Sequence, residues 1–299
     1  MDPKDVPGAE RDDAAATFTA LRGRLFGVAY RMLGSAAEAD DVVQDAWLRW
    51  QGADRSVVLD ATAFLVTTTT RLAINVAQSA RARRETYIGP WLPEPVDTTN
   101  DPALGAERSE ALEIATLLLL EKLAPAERAA YVLSEAFDYA YAQIGEMLSV
   151  SEANARQLAS RARKRLANDR RGPAPASEQR RLLEAFLAAA KDGDLGALER
   201  LFTADVVSYS DGGGVVRAAR KPVVGISRVA RFHAAIARWL WLDASVEPLD
   251  ANGHGAVLIE REGAPYAVLT VGASSGGIDR VFWVMNPAKL AFARVPRTA

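Results

Sequence analysis

Residues 141–166 read YAQIGEMLSVSEANARQLASRARKRL, and this stretch has the clearest structural pattern in the chain. Its first part is apolar at helical spacing and stops just before Ser151, a residue type that favours the N-cap of a helix. The second part has small or apolar residues on one side: Ala155, Ala159, Ala162 and Leu166. The pattern therefore predicts two short helices packed across a tight turn, the second of them basic.

The second of these helices carries polar side chains on its remaining faces. In a helix-turn-helix, the second helix lies in the major groove of DNA, where Arg and Gln read base edges and other side chains hold phosphates. A solvated basic helix in an ordinary helical bundle is the simpler alternative. The candidate DNA-binding residues of this helix are Arg156, Gln157, Ser160, Arg161, Arg163 and Lys164.

Residues 16–84, further towards the N-terminus, also predict helices. The segment contains no proline and few glycines, and it carries an apolar stripe at helical spacing, Leu65, Thr69, Leu72 and Val76. A polar face beside this stripe continues into a basic run, which makes a second candidate surface for DNA. Its residues are Arg71, Asn75, Gln78, Arg81, Arg83 and Arg84.

An earlier helix of the same segment is acidic, and DNA would repel it. The acidic face contains Asp40, Asp41, Gln44 and Asp45. If this face is functional, the expected partner is a protein. A first helical turn stabilised by the helix dipole is the other explanation, and taken alone it accounts for these carboxylates.

Length and composition predict a multidomain protein without cofactors. At 299 residues the chain is about twice a typical domain of roughly 150, which predicts two or three domains. Apolar residues make up 49% and charged residues 25%, values that exclude wholesale disorder. Cysteine is absent and histidine is limited to His233 and His254, which excludes disulfide frameworks and thiolate or histidine-rich metal centres. We therefore predict no metal and no cofactor.

The sequence predicts neither a secretion signal nor a membrane span. The first fifteen residues hold five acids and two bases without an apolar core, unlike a signal peptide. The longest strongly apolar run, residues 114–120, is far shorter than the roughly 20 residues needed to span a bilayer. We expect a cytoplasmic protein with no membrane partner.

The net charge of −2 hides an uneven distribution of charge. Residues 16–84 carry nine bases and six acids, and residues 151–172 carry seven bases and two acids. Between them, residues 85–110 hold one base and six acids. Separated basic blocks predict two distinct surfaces that face anions.

Prolines and glycines divide the rest of the chain. Four prolines lie within the acidic residues 86–110, which predicts a partly stiff, extended linker. After Gly172-Pro173-Ala174-Pro175, one helix at 178–191 precedes several β-rich segments, and this order predicts an α+β domain. The β-rich segments are 205–217, 245–250, 255–261, 265–272 and 279–285.

These segments in combination resemble a known family. Similarity to region 2 of the extracytoplasmic-function (group IV) sigma factors of the sigma-70 family rests on Leu25-Phe-Gly-Val-Ala-Tyr-Arg-Met-Leu-Gly-Ser and Ala37-Glu-Ala-Asp-Asp-Val-Val-Gln-Asp-Ala-Trp-Leu-Arg-Trp. The basic helix-turn-helix is similar to their region 4. The block Tyr87-Ile-Gly-Pro-Trp-Leu-Pro-Glu-Pro resembles the linker of the sigma-J-like subgroup, which carries a SnoaL-like C-terminal extension.

The resemblance implies a multidomain fold with two all-α sigma domains and a cone-shaped α+β domain. The expected boundaries are a disordered N-terminus at 1–15, region 2 at 16–85, the linker at 86–110, region 4 at 111–172 and the SnoaL-like domain at 173–299. Two further segments, Asp211-Gly-Gly-Gly and Asn286-Pro-Ala-Lys-Leu, stand where the subgroup has its extension motifs.

The resemblance also implies partners and site residues. Region 2 is expected to bind the clamp of core RNA polymerase and to read the −10 element of promoter DNA, while region 4 docks on the polymerase flap and reads the −35 element. The residues implied for core polymerase are Asp40, Asp41, Gln44, Asp45 and Leu48. The residues implied for the regulatory linker and extension are Trp91, Leu92, Pro93, Glu94, Pro95, Asp211, Gly212, Gly213, Gly214, Asn286, Pro287, Lys289 and Leu290.

Two positions depart from the subgroup's pattern. Val215 follows the glycines where a basic residue is usual, and Ala288 replaces the usual acid of the second motif. Contacts that relatives make through those two side chains are therefore not carried over to this chain.

The C-terminal domain is expected to regulate rather than to catalyse. By residue type, Asp211, His233, Glu260 and Asp279 are candidates for acid or base chemistry, but no paired spacing requires it. The fusion to a sigma core favours a regulatory domain that contacts region 2 or the linker and replaces a separate anti-sigma factor. The domain leaves room for an unidentified small ligand.

Two other classes of protein stay open at this point. One is a DNA-binding regulator that senses a small molecule in its C-terminal pocket, for which the acidic face at 40–45 has no use. The other is a free-standing enzyme, for which the basic helix has no use.

Overall fold

The chain folds into two units, each with its own internal contacts. The structure, a computed structural model, describes residues 8–98, 113–167 and 174–291. The N-terminal unit comprises residues 1–83, 103–111 and 119–169, and the C-terminal unit comprises residues 84–102, 112–118 and 170–299. The proline-rich segment that precedes residue 99 therefore belongs to the C-terminal unit.

Three long helices form the first part of the N-terminal unit. They are α1 (Gly8–Leu33), α2 (Ala36–Gln51) and α3 (Ala61–Glu85), with one short 3-10 turn at Arg55–Val57. Ser35 caps α2, because its hydroxyl accepts a hydrogen bond from the backbone N–H of Glu38 at 3.2 Å. Helix α1 already includes residues 8–15 of the stretch expected to be disordered, and residues 1–7 lie outside the described residues.

Four shorter helices follow, the first of which lies mostly in the C-terminal unit. They are α4 (Ile114–Leu120), α5 (Pro125–Glu135), α6 (Tyr141–Leu148) and α7 (Glu152–Ala167). Between α6 and α7, Ser149 takes a left-handed conformation with a φ of 57°. The predicted apolar side of α7, made of Ala155, Ala159, Ala162 and Leu166, is buried. Residues 141–166 therefore form the helix-turn-helix that their pattern predicts.

The C-terminal unit is α+β, as predicted, with more helix than expected. Its helices are α8 (Ala176–Asp192), α9 (Leu195–Leu201) and α10 (Ile226–Leu240). Its strands are β1 (Phe202–Asp211), β2 (Val223–Val224), β3 (Ala244–Ala251), β4 (His254–Arg261), β5 (Ala264–Ser274) and β6 (Gly277–Val284). They form one sheet in the order β2-β1-β6-β5-β4-β3, in which only the β1–β6 pair is parallel.

Besides the additional helix α9, two features of this unit differ from the sequence prediction. Strand β1 ends at Asp211 rather than near 217, because Gly213 and Gly214 adopt φ values of +60° and +75° that an extended strand cannot contain. Helix α10 was not predicted, although its buried residues Val229, Ala230, His233, Ala237 and Leu240 recur at helical spacing. Its apolar face packs in the same core as Phe186 and Trp283.

The proline-rich segment lies extended on the C-terminal unit. Asp97 forms a bridge with Ala251 at the end of β3, and Val96 exchanges hydrogen bonds with Asn252. Leu92 is completely buried in a cluster that includes Phe282 and Leu290. The extended backbone predicted from the prolines is therefore present as a strap along the sheet.

The described residues offer neither a membrane-spanning helix nor a metal-binding cluster. Within the described ranges 8–98, 113–167 and 174–291, no helix is long and apolar enough to cross a membrane. Over the same residues, no group of three or more histidine or carboxylate side chains is arranged to hold a metal ion.

Candidate functional site

The acidic side chains of α2 form an exposed face. Asp41, Gln44, Asp45 and Leu48 recur at intervals of three or four residues and are all exposed, with Leu48 at 57%. Asp40 lies at the edge of this face and pairs with Arg22 at 2.9 Å. The face therefore combines negative charge, which DNA would repel, with an exposed apolar side chain.

The predicted DNA-binding residues of α3 are divided between exposed and internally bonded side chains. Asn75 and Gln78 are exposed on the polar face. Arg71 instead donates to the backbone carbonyl groups of Glu146 (3.2 Å) and Met147 (2.9 Å) and to the hydroxyl of Ser149 (2.9 Å). Arg71 therefore stabilises the C-terminal end of α6, where carbonyl groups have no partner within the helix.

The basic run at the end of α3 is also partly engaged. Arg83 forms an ion pair with Glu38. The guanidinium of Arg84 lies 3.6 Å from the centre of the Trp91 ring, a close cation–π contact. The side chain of Arg81 lies outside the described residues.

On α7, the residues predicted for DNA do not all lie on one free face. Gln157, Arg161 and Lys164 are exposed, and Ser160 is half-buried. Arg156 is exposed and pairs with Glu152, one helical turn earlier, at 2.7 Å. Arg163 folds back, donating to Glu135 at 2.7 Å and to the Tyr141 hydroxyl at 2.6 Å. The hydrogen bond to Tyr141 raises the pKa of Arg163, with a smaller contribution from Glu135.

In the C-terminal unit, the three motifs singled out by the resemblance converge on Asp211. This carboxylate is completely buried and accepts four hydrogen bonds. One oxygen accepts from the Tyr87 hydroxyl (2.5 Å) and the Gly213 N–H (3.1 Å), and the other accepts from the Leu92 N–H (2.8 Å) and the Lys289 ammonium (2.7 Å). We refer to Tyr87, Leu92, Asp211, Asn286 and Lys289 as the linker dock.

Lys289 is the counter-ion of the linker dock. Its ammonium also donates to the Leu92 carbonyl at 2.6 Å and lies 4.2 Å from the centre of the Trp91 ring. Burial lowers the pKa of Lys289, and the charge of Asp211 opposes that shift. Burial, followed by the hydrogen bond to Asp211, raises the pKa of Tyr87, which keeps its hydroxyl protonated as a donor.

The glycine turn after Asp211 allows this close approach. A Cβ atom on Gly213 would lie 2.4 Å from the Asn286 amide nitrogen, and one on Gly214 would lie 2.9 Å from Ile88 of the linker. The Asn286 amide in turn donates to the Tyr87 hydroxyl at 2.8 Å. Both glycines also have positive φ. A side chain at either position is therefore disfavoured by its close contacts and by the backbone conformation.

The remaining motif residues fit this arrangement. Pro93, Glu94, Pro95 and Leu290 are buried, whereas Pro287 is exposed. Val215 and Ala288, the two positions that depart from the subgroup's pattern, are also exposed. The hydrogen bonds of the linker dock form without either side chain. Tyr87, the dock residue that the sequence analysis did not select, could be recognised because it opens the linker motif.

Within the described residues, the four acid or base candidates of the C-terminal unit do not form a catalytic pair. His233 is buried, its Nε2 atom lies 3.2 Å from the Ser208 hydroxyl, and its other ring contacts are aromatic. Burial lowers the pKa of His233 to about 3, so the ring is neutral at pH 7. Asp279 is buried next to Arg280, Glu260 is half-buried on β4, and Asp211 belongs to the linker dock.

A pocket of about 270 Å³ opens beside this core. Strands β1 and β6, helix α10 and the loop after the glycine turn form its walls. Its lining is mainly apolar, with Phe232, Ile236, Trp239, Trp283 and Met285. Ser210 and Arg217 supply polar side chains. The sequence analysis selected none of these residues; the amphipathic pattern of α10 was the available signal.

Comparison with known families matches both helical segments. The model of "Sigma-70 region 2" matches residues 17–84, and the model of "Sigma-70, region 4" matches residues 114–166. The first match contains α2 and α3, and the second contains the helix-turn-helix. The fold and its surfaces thus define a sigma-70-type transcription initiation factor.

Full-length relatives narrow the assignment. The chain is 41% identical over 222 residues to the ECF RNA polymerase sigma factor SigJ of Mycobacterium tuberculosis, which covers 72% of this chain and 70% of the relative. It is 30% identical over 287 residues to the probable ECF RNA polymerase sigma factor SigI of the same species, covering 94% and 96%. The crystal structure of SigJ superposes with a TM-score of 0.76 at 33% identity, covering 93% of this chain and 98% of that one.

The chain belongs to the extracytoplasmic-function RNA polymerase sigma factors. Membership implies core RNA polymerase and promoter DNA as partners, and the C-terminal unit has the SnoaL-like fold expected of the sigma-J-like subgroup. Of the three classes of protein considered from the sequence, the sigma factor is the one that the comparisons support.

Proposed function

We propose that this sigma factor is regulated in cis by its C-terminal domain, which holds the linker between regions 2 and 4. The linker dock is the observation that supports this. A buried carboxylate bonded to Tyr87, to the Leu92 N–H and to Lys289 fixes the linker backbone at two points. A domain that grips the linker controls how far apart regions 2 and 4 can move, and promoter binding requires both.

Promoter and polymerase contacts are assigned to the exposed faces. The face of α2 formed by Asp41, Gln44, Asp45 and Leu48, with Asp40 at its edge, binds the polymerase clamp. The loop after α2 and the exposed residues of α3 read the −10 element. Helix α7 reads the −35 element with Gln157, Arg161 and Lys164 as its free side chains, while Arg156 exchanges Glu152 for DNA on binding.

Two members of the original DNA-binding set receive a different role in this proposal. Arg71 and Arg163 orient the helix-turn-helix, since each already donates hydrogen bonds to acceptors of the protein. The linker dock lies in the same chain as the sigma regions, so no separate anti-sigma factor is needed. We assign no catalytic step to Asp211 or His233, because the first is tied to Lys289 and the second is a neutral core residue.

Run-off transcription with core RNA polymerase tests the cis regulation. Tyr87→Phe removes the hydroxyl that bonds to Asp211 and Asn286 and keeps the ring. Tyr209→Phe is the matched control, since its ring stacks on Phe282 and no hydrogen bond of its hydroxyl is found among the described residues. We expect a severalfold change in transcript yield for Tyr87→Phe and a wild-type yield for the control.

A second variant is needed because the loss of one hydroxyl group can have a small effect on transcript yield. Gly213→Ala places a Cβ against Asn286 and disfavours the turn. Transcript yields equal to wild type for both Tyr87→Phe and Gly213→Ala would overturn the regulatory role and leave the sigma activity standing.

A further inference from the structure

The polar side chains named among those that line the pocket beside the linker dock are all hydrogen-bond donors. Among the residues that line it, Arg217 carries a guanidinium, Ser210 a hydroxyl and Trp283 an indole N–H. Among the described residues, no carboxylate lines the pocket. The ligand that fits such a lining brings acceptor atoms, and a negative charge fits best because the guanidinium is always charged.

Trp283 contributes a donor that the protein leaves unused. Its side chain is buried, and its indole nitrogen has no hydrogen-bond partner among the described residues. A buried donor without an acceptor destabilises a fold, and such groups are rare in native structures. Less than 1 Å² of this nitrogen is accessible to solvent, so an acceptor on a ligand in this pocket reaches it only by displacing neighbouring side chains.

The surroundings of the pocket are strongly positive. Residues 212–242 contain six bases and no acid. Arg217, at the pocket, is exposed and forms no ion pair within the described part of the chain. Because the whole chain has a net charge of −2, this local excess attracts anions to one place.

The apolar walls of the pocket favour a ligand with a flat apolar ring system. Phe232, Trp239 and Trp283 present aromatic rings, and Ile236 and Met285 complete an apolar surface. A volume of about 270 Å³ matches a small bicyclic molecule better than a nucleotide or a lipid. The ring centre of His233 lies 5.8 Å from that of Trp283. Because its lowered pKa keeps His233 neutral, the wall behind Trp283 is apolar.

We propose that this pocket binds a small aromatic carboxylate, with the carboxylate at Arg217 and the aromatic body among Phe232, Trp239 and Trp283. The Ser210 hydroxyl completes the recognition of its oxygen atoms. This assigns a ligand class to the C-terminal domain.

The pocket is adjacent in sequence to the linker dock at two points. Ser210 lines the pocket while Asp211 lies in the dock, and Met285 lines the pocket while Asn286 lies in the dock. The Met285 N–H donates to the Asp211 carbonyl at 2.8 Å, which joins the two pairs. A ligand that moves Ser210 or Met285 therefore changes the hold on the linker; this consequence rests on the proposed function above.

Isothermal titration calorimetry on the full chain tests the ligand class with two matched probes. Naphthalene-2-carboxylate carries the proposed charge, and 2-naphthalenemethanol has the same ring system without it. We expect the carboxylate to bind at least tenfold more tightly. Arg217→Gln removes this preference, whereas Arg231→Gln, an exposed residue of α10 outside the pocket, retains it.

Each other result overturns the proposal. Absence of carboxylate binding, equal affinity for the two probes, or an undiminished preference in Arg217→Gln would each do so. Run-off transcription with and without naphthalene-2-carboxylate then separates the two proposals: specific binding without a change in yield contradicts the coupling to the linker and leaves the ligand site standing.

Discussion

The carboxylates of α2 and the carboxylate of Asp211 belong to the same residue type and have opposite environments. Asp41 and Asp45 are exposed and form no ion pair in the described part of the chain. Asp211 is completely buried and has four donors around it. The first two are free to meet a partner, and the third is committed inside the protein.

This contrast separates binding from stability. A buried ion pair depends on both partners, because removing one leaves an uncompensated charge in a poorly hydrated site. An exposed carboxylate is hydrated whether or not it has a partner, so its loss leaves the fold unchanged. We therefore expect substitutions of the exposed carboxylates to weaken binding to a partner, and substitutions of Asp211 to lower the stability of the fold.

Asp211→Asn should have the largest effect. It leaves the buried Lys289 ammonium without its hydrogen-bonded counter-ion, and we expect a loss of about 3–5 kcal/mol in the free energy of unfolding of the C-terminal unit. Urea denaturation followed by tryptophan fluorescence measures this. Asp243→Asn, at an exposed position with a φ of 58° that asparagine accepts, should unfold like the wild type.

A double variant sharpens that result. Asp211→Asn with Lys289→Met removes both charges and should recover part of the lost stability, as replacement of a whole buried pair commonly does. A double variant that is less stable than the single one would show that the ion pair is not the source of the effect.

Reversal of the α2 charges should affect binding alone. We expect Asp41→Lys with Asp45→Lys to weaken binding to core RNA polymerase about 100-fold, equivalent to about 2.7 kcal/mol, with an unchanged unfolding midpoint. Glu184→Lys with Asp192→Lys changes the net charge equally on the exposed face of α8 and should bind like the wild type. Similar losses in both double variants would mean that overall charge, not this face, determines binding.

A smaller effect of the same kind distinguishes two arginines of α7. Arg161→Gln should weaken promoter DNA binding by about 1 kcal/mol without changing stability, because Arg161 is exposed and free to contact DNA. Arg163→Gln should instead lower stability by about 1 kcal/mol, because it loses its hydrogen bonds to Glu135 and Tyr141. Electrophoretic mobility shifts and urea denaturation measure the two effects, and the reverse pattern would contradict these assignments.

Local sequence patterns were sufficient to predict most helices. They did not show which side chains form hydrogen bonds within the protein. Apolar spacing and the serine before α7 specified the helix-turn-helix, since capping and burial act within a few residues. The same spacing grouped Arg163 with Arg156 and Ser160 as candidates. Its partner Glu135 lies on another helix, so periodicity within α7 could not reveal that Arg163 is engaged.

The sequence by itself determined the family, the helical segments and the residues of three motifs. Only the tertiary structure decided that these motifs meet. Tyr87 and Asp211 are 124 residues apart, and Tyr87 and Asn286 are 199 residues apart, yet all three share one hydrogen-bonded cluster. Helices form from contacts three or four residues away, whereas a buried ion pair forms only where the fold brings distant segments together and excludes water.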